Sequence, residues 1–279
     1  MNKLLSAEFV RLKKNKFFWV SVGLMAAVAL YVVFELYWEM KKYDYAVGLE
    51  RVLFGHVFCI GFLTAAFSGL FIGTEYSEGT IRNKLVIGHT RRDIYISSLI
   101  ISITAGLIIC LSYILAALIP GVILIGFSGE ITVETMVQTF FVLLLMTAAF
   151  CAVFTMFSML NQSKAQNCVI VLIGTFIMLF FSAFIFSELR RPEIYEEYVY
   201  LDQDTGEIVT EPAEPNPFYV SGTTREVYEF LMQFLPTGQS YLIMANDLSH
   251  EGRMAVYSVL VIVGSSAAGI YCFRKKDIK

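Results

Sequence analysis

The sequence predicts an all-α polytopic membrane protein with six transmembrane helices and both termini on the cytoplasmic side. Two observations carry that prediction. Six apolar runs divide the chain, and the polar segments between them alternate in charge. The runs cover 17–37, 52–73, 94–119, 136–160, 168–187 and 254–273. A helix needs about 20 residues to cross about 30 Å of hydrocarbon, and each run is near that length. With 57% hydrophobic residues in 279, six such runs exceed what a soluble core would hold.

Inside lipid every backbone N–H and C=O needs an internal partner, so only helices and closed barrels span. Barrel strands alternate apolar and polar residues. The run 94–119 does not: it is nearly continuous Ile, Leu, Ser, Ala and Gly. Its polar breaks are small, such as Ser102 and Thr104, whose hydroxyls can bond back to the helix.

Lys and Arg collect on the cytoplasmic side of short connections. The first segment holds Lys3, Arg11, Lys13, Lys14 and Lys16, and the connection after the second run holds Arg82, Lys84, Arg91 and Arg92. Lys164 follows the fourth run, and Arg274, Lys275, Lys276 and Lys279 form the tail. The acids beside them are Glu8, Glu75, Glu78, Asp93 and Asp277. One side is thus net positive and the other net negative, an asymmetry hidden by the whole-chain charge of −3. An even number of spans agrees with cytoplasmic termini. No nucleic-acid partner is expected.

The chain therefore divides as follows. Residues 1–16 interleave Leu4, Leu5, Ala7, Val10 and Leu12 with charge and read as an amphipathic helix on the inner membrane surface, basic face toward lipid headgroups. A cleavable signal is not expected, because the following run is too long and lacks a cleavage site. Residues 17–187 carry the first five spans and the cytoplasmic segment 75–93. Residues 188–253 are a long acidic extracellular segment with five of the six prolines. Residues 254–273 are the last span and 274–279 a basic tail. In the acidic segment, 195–201 and 207–210 have strand character around turn chemistry at 202–206, a β-hairpin. Residues 212–217 read as a Pro-rich linker. Thr223 or Thr224 caps a helix over 225–235 with Val227, Phe230, Leu231 and Phe234 on one face, stopped at Pro236. Residues 225–245 are expected as a helical hairpin resting at the outer membrane surface or dipping into it.

Cys59, Cys110, Cys151, Cys168 and Cys272 lie in or at the ends of spans without paired spacing, so neither a disulfide framework nor a zinc site is expected. His56, His89 and His250 are scattered, and no metal is assigned to them. Catalytic residues are not expected. An intramembrane enzyme would need paired acids, His clusters or a Ser/Lys arrangement at membrane depth. Ionisable residues are almost absent from the spans; Glu35 and Glu75 sit at their ends. This disfavours a proton-coupled pump. Phe58, Phe62, Phe67, Phe150, Phe154 and Phe157 are candidates for an apolar pathway, although packing is the commoner role for such residues.

The segment 75–93 is the most distinctive. Thr80 can cap a short helix with Ile81 and Leu85 on one face and Arg82 and Lys84 directed elsewhere. Gly88 can close it, and Thr90 with Asp93 can start the next helix. The stretch FIGTEYSEGTIRNKLVIGHTRRDIY, residues 71–95, resembles the segment joining the second and third spans in permease subunits of ABC-2 type exporters. Phe234-Leu235-Pro236-Thr237-Gly238-Gln239 before the last span is similar to the family too. Small six-span permeases linked to peptide-antibiotic export or immunity look closest.

The resemblance implies a multi-pass protein of the plasma membrane, bacterial in origin, working as a dimer with a second copy or a paralogue among membrane lipids. It implies that Glu75, Tyr76, Gly79, Thr80, Ile81, Arg82, Lys84 and Leu85 form a coupling segment that docks on an ABC ATPase subunit. The chain has no GxxxxGK[ST] phosphate loop, so ATP and Mg would belong to that partner and no cofactor to this chain. The cargo would be an amphipathic or hydrophobic peptide, antibiotic or lipid. The outer segment is longer and more acidic than the family's. It motivates the alternative of a peptide-sensing or immunity module with transport secondary.

Overall fold

The structure, a computed structural model, describes residues 1–201, 208–247 and 250–277. The turn expected at 202–206, Glu207 and the basic Lys279 lie outside the described residues.

Helix α1 (Asn2–Lys14) leads into α2 (Lys16–Tyr43), the first span. Asn15 between them accepts a hydrogen bond from Phe18 N at 2.9 Å and so caps α2. The second span is a short turn α3 (Glu50–Leu53) followed by α4 (Val57–Ser77). Then come α5 (Thr80–Val86), α6 (Arg91–Leu124), α7 (Val133–Leu160) and α8 (Lys164–Leu189). After the sheet segments, α9 (Gly222–Phe234) and α10 (Pro236–Met244) precede the last span, α11 (Glu251–Lys275). Among the described residues six helices are long and apolar enough to cross a membrane, as the sequence predicts. Span α6 outruns its apolar core and carries Pro120 inside its last turns.

Spans α4 and α7 are the most buried and form the centre of the bundle. Span α4 packs against α6, α7 and α8, while α2 lies along α6 and α11 along α7. Span α11 is the least buried of the six. The bundle has two ends of opposite character. Helices α1 and α5 and the C-terminal tail share the basic end. The sheet and α9 sit at the acidic end.

Among the described residues four short strands follow α8. Strand β2 (Tyr198–Leu201) pairs antiparallel with β3 (Ile208–Glu211), with Val199 opposite Thr210. Strand β1 (Ile194–Tyr195) pairs with β4 (Glu214–Pro215). The 212–217 segment is therefore not all linker. Proline can occupy the edge of a ladder, where its missing N–H is not needed, and Pro215 does so here. Asn216 then holds the base of the ribbon through its side-chain amide to Pro192 O at 2.8 Å.

The cap position of α9 is Ser221, two or three residues before the expected Thr223 or Thr224, and its side chain makes no capping hydrogen bond. Pro236 ends α9 and also opens α10, where its absent N–H costs nothing at the first helical position. The hairpin does not simply rest on the bundle: α10 sinks into it against α4, α7 and α8. Thr237, Gln239 and Ser240 are fully buried. Burying such groups is tolerable only with partners. The Thr237 hydroxyl pairs with Ser182 of α8 at 2.7 Å. Gln239 Nε2 donates to Gln233 O at 2.7 Å and to Met254 O at 3.1 Å, and its Oε1 accepts from the Ser258 hydroxyl at 2.9 Å. Ser240 donates to Pro236 O at 3.0 Å. Gln239 thus ties the re-entrant hairpin to α11.

Sequence reading missed Glu50. It is buried at the acidic end and accepts from Ser128 N at 3.0 Å and Gly129 N at 3.1 Å. It fixes the α6–α7 connection over the start of the second span.

The turn into α10 sets a testable constraint. A Cβ on Gly238 would stand 2.5 Å from the Met232 carbonyl oxygen, with backbone and not a flexible side chain in the way. Gly238→Ala is expected to destabilise the protein by about 1–3 kcal/mol. Gly264→Ala, where nothing lies within 4 Å, is the neutral control. Thermal unfolding in detergent compares them, and equal midpoints would show that the turn can relax.

Candidate functional site

The site at the basic end is built around α5. Gly79 precedes it with φ 68° and Gly88 follows it with φ 98°, both in the left-handed region that favours glycine. Gly79, not Thr80, is the N-cap, and Thr80 is the first helical residue. At the far end the His89 amide donates to Lys84 O at 3.1 Å and the Gly88 amide to Leu85 O at 3.0 Å, closing α5 with a left-handed glycine. Thr90 then caps α6, as expected: its hydroxyl oxygen accepts from Asp93 N at 3.1 Å and its hydroxyl donates to the Asp93 carboxylate at 2.8 Å. Two sharp breaks therefore isolate a seven-residue helix between two spans.

The orientation of α5 corrects one expectation. Ile81 and Lys84 both face inward. Ile81 is 1% exposed, in a cluster with Leu4, Ile72, Ile94, Tyr95, Met159 and Phe273. Leu85 is half-buried against the same cluster. The exposed face is Arg82, Asn83, Val86 and Ile87. Val86 is 79% exposed and Ile87 78%. Ile81 and Lys84 are three apart, so an inward Ile81 brings Lys84 inward too.

Behind α5 lies a buried quartet of charges. Lys84 Nζ donates to Glu75 Oε1 at 2.6 Å and also to Glu8. Arg11 Nη1 donates to Glu8 Oε2 at 2.9 Å and to Glu75. The Arg11 guanidinium also lies 3.6 Å from the centre of the Phe71 ring, a cation–π contact. Two carboxylates and two cations balance. Burial pushes both Arg11 and Lys84 down from their ordinary values, and the Glu8 carboxylate pushes each back up. Glu75 Oε2 is buried without a hydrogen-bond partner, so its oxygen Oε1 carries both cations. Helix α1 is thus docked on its own bundle through Leu4, Glu8 and Leu12. Lys3, Lys13, Lys14 and Lys16 remain exposed.

A second set of contacts fastens the C-terminal tail to the same end. Lys276 Nζ donates to Met159 O at 3.0 Å and to the Tyr76 hydroxyl at 3.1 Å. Arg91 donates to Phe273 O at 2.9 Å and to Lys276 O. Tyr76 is therefore engaged inside the bundle.

The six phenylalanines do not share one surface. Phe67, Phe150 and Phe154 are buried in the subunit's own core. Phe67 stacks on Phe71 at 5.0 Å, and Phe150 on Phe154 at 5.7 Å. Phe58 meets Tyr241 of α10 edge-on at 4.6 Å. Phe62 is half-buried, and Phe157 is exposed.

A family model described as ABC-2 family transporter protein matches residues 4–201. The match takes in α1, the first five spans and the whole of α5. No curated protein matches the chain.

Breaking a buried ion pair from one side costs about 3–5 kcal/mol, because the partner is left charged and unpaired. Lys84→Met is expected to show that loss in thermal unfolding. Glu8→Gln combined with Lys84→Met leaves Arg11 with Glu75 and should recover part of it; strict additivity would show that the charges do not interact.

Burial, with Arg91 nearby, also lowers Lys276 from 10.5 to about 8. Between those values the Lys276 amine is neutral in the folded state while in the unfolded one it still holds its proton, so raising pH stabilises the folded state. The contribution is complete above 10.5 and is lost as pH falls through 8. Lys276→Met should remove that slope from a pH series of unfolding midpoints.

Proposed function

The chain belongs to the ABC-2 transporter family and is a membrane permease of an ABC exporter, and we propose that α5 is its coupling helix, docking on a separate ABC ATPase subunit through Arg82, Asn83, Val86 and Ile87. The observation that carries this reading is the two-sided character of α5. Its inner face is fixed by Ile81 and Lys84, while its tip offers two apolar side chains and a cation to a partner. Glu75, Tyr76, Gly79, Thr80 and Leu85 hold and shape the segment rather than meet the partner.

On this reading the basic end is cytoplasmic, which agrees with the positive-inside rule. ATP and Mg belong to the ATPase. A second permease copy or a paralogue completes the pathway, and the exposed apolar faces of α2 and α8 are available to it or to lipid. Closure of the ATPases pushes α5. Because α5 is bolted to α1 and α4, the push moves the inner ends of α1, α4 and α6 together. The scarcity of ionisable residues in the spans supports an amphipathic or hydrophobic cargo such as a peptide, antibiotic or lipid.

The outer ribbon supports a second reading, a peptide-sensing or immunity module. Tyr198 and Tyr200 stack at 5.7 Å on one face of the ribbon, and Val199 and Ile208 are exposed on the other, apolar surface in an acidic segment that suits a cationic amphipathic peptide. Deleting 196–213 should abolish peptide binding if the ribbon senses, and leave ATPase docking intact.

Val86→Asp with Ile87→Asp is expected to abolish co-purification of the ATPase without changing thermal unfolding. Ile81→Ala is expected to cost about 2–4 kcal/mol of stability through its cavity. Undiminished ATPase recovery from the Val86/Ile87 double variant would place the docking surface elsewhere.

A further inference from the structure

We propose that the groove between α7 and α11 at the acidic end is a phospholipid-binding site, with the phosphate at Arg253 and an acyl chain running inward between the two helices.

The groove has a mixed mouth, where Phe141 and Val142 lie among polar groups, and an apolar floor that joins it at Ala255. The mouth is an open cleft of about 750 Å³ in which Gln138 of α7 faces Glu251 and Arg253 of α11. The inner part is a cleft of about 270 Å³ whose walls are Leu145, Val256, Val259 and Leu260, almost wholly apolar. Ala255 lines both, so one continuous depression changes from mixed to apolar along its length.

Its length fits a single leaflet. The α7 wall runs from Thr135 to Leu145, ten helical steps. At 1.5 Å per residue that is about 15 Å, half of the roughly 30 Å hydrocarbon thickness. A groove built for a crossing helix would be expected to continue down the whole span. This one ends at mid-depth, where an acyl chain from one leaflet also ends.

Charge fits the same occupant. Glu251 keeps its charge but is tied to α7, accepting from the Thr139 hydroxyl at 2.8 Å. Arg253 is exposed and has no ion-pair partner among the described residues. A guanidinium binds phosphate oxygens through paired N–H donors. Gly252 has nothing within 4 Å of where its Cβ would stand, which leaves the approach to Arg253 open. Span α11 is the least buried of the six, so the groove opens toward the membrane and not into the bundle.

The test uses the full chain in mild detergent, without the ATPase, so its result is independent of the docking reading. Native mass spectrometry is run with phosphatidylglycerol and, as a control without phosphate, diacylglycerol. One phosphatidylglycerol retained per chain and little diacylglycerol is the expected result. Arg253→Gln should weaken retention about tenfold, the size of a lost charged hydrogen bond. Ala255→Trp should abolish it by filling the junction, with helix content by circular dichroism unchanged. Retention that is equal for wild type and Arg253→Gln, or equal for both lipids, would overturn the site. Val259→Cys in liposomes gives a further arm: an efficient disulfide between two chains would put a second copy in the groove and overturn the lipid. With the ATPase present, ATP-driven movement of the retained lipid identifies it as cargo. A lipid that stays identifies a resident, and the site stands in either case.

Discussion

Four charges, three of them buried and Arg11 half-buried, hold the basic end of this protein together. Glu8 and Arg11 come from α1, Glu75 from the end of the second span and Lys84 from α5. Each alone would be costly to bury, and together they cancel. Such a network adds little net stability compared with apolar packing of the same volume, but it tolerates few alternative arrangements. It therefore specifies position. The helix that faces the ATPase in our reading can shift only if α1 and α4 shift with it.

The acidic end uses neutral polar groups for a similar purpose. Gln239 satisfies both ends of its amide with α9 and α11, and Thr237 reaches α8. Glu50 ties a loop with backbone donors. The middle of the bundle, by contrast, is held mainly by apolar packing around α4 and α7, with no ion pair there among the described residues. Polar specification at both ends of an apolar middle suits a bundle whose spans must tilt without coming apart.

Much of this was legible in the sequence because its signals are local. Run length gave the six spans, and Thr90–Asp93 and Gly88 gave two boundaries of the α5 segment. What was not legible depends on contacts between distant residues. Lys84 looks like an ordinary surface lysine until Glu8, 76 positions away, is placed beside it. Ile81 looks like a docking knob until its cluster with Leu4 and Phe273 is seen. Pro236 reads as a stop, and only the burial of Thr237 and Gln239 shows that it is also a start. A signal for Lys84 did exist: an acid at Glu75, just where an apolar run ends, has to be neutralised by something nearby.

The quartet also has an order in time. Glu8 and Arg11 are synthesised first, while Glu75 and Lys84 follow only after two spans have been made. Until then the apolar face of α1 has no bundle to pack on, and Glu8 has only Arg11 of its own helix as a partner. The N-terminal helix therefore cannot complete its docking until the second span and α5 exist, although it is made first. Completion of the first hairpin of spans is recorded in its docking, so a subunit with a misplaced second span would present a loose N-terminus to the cell's proteases.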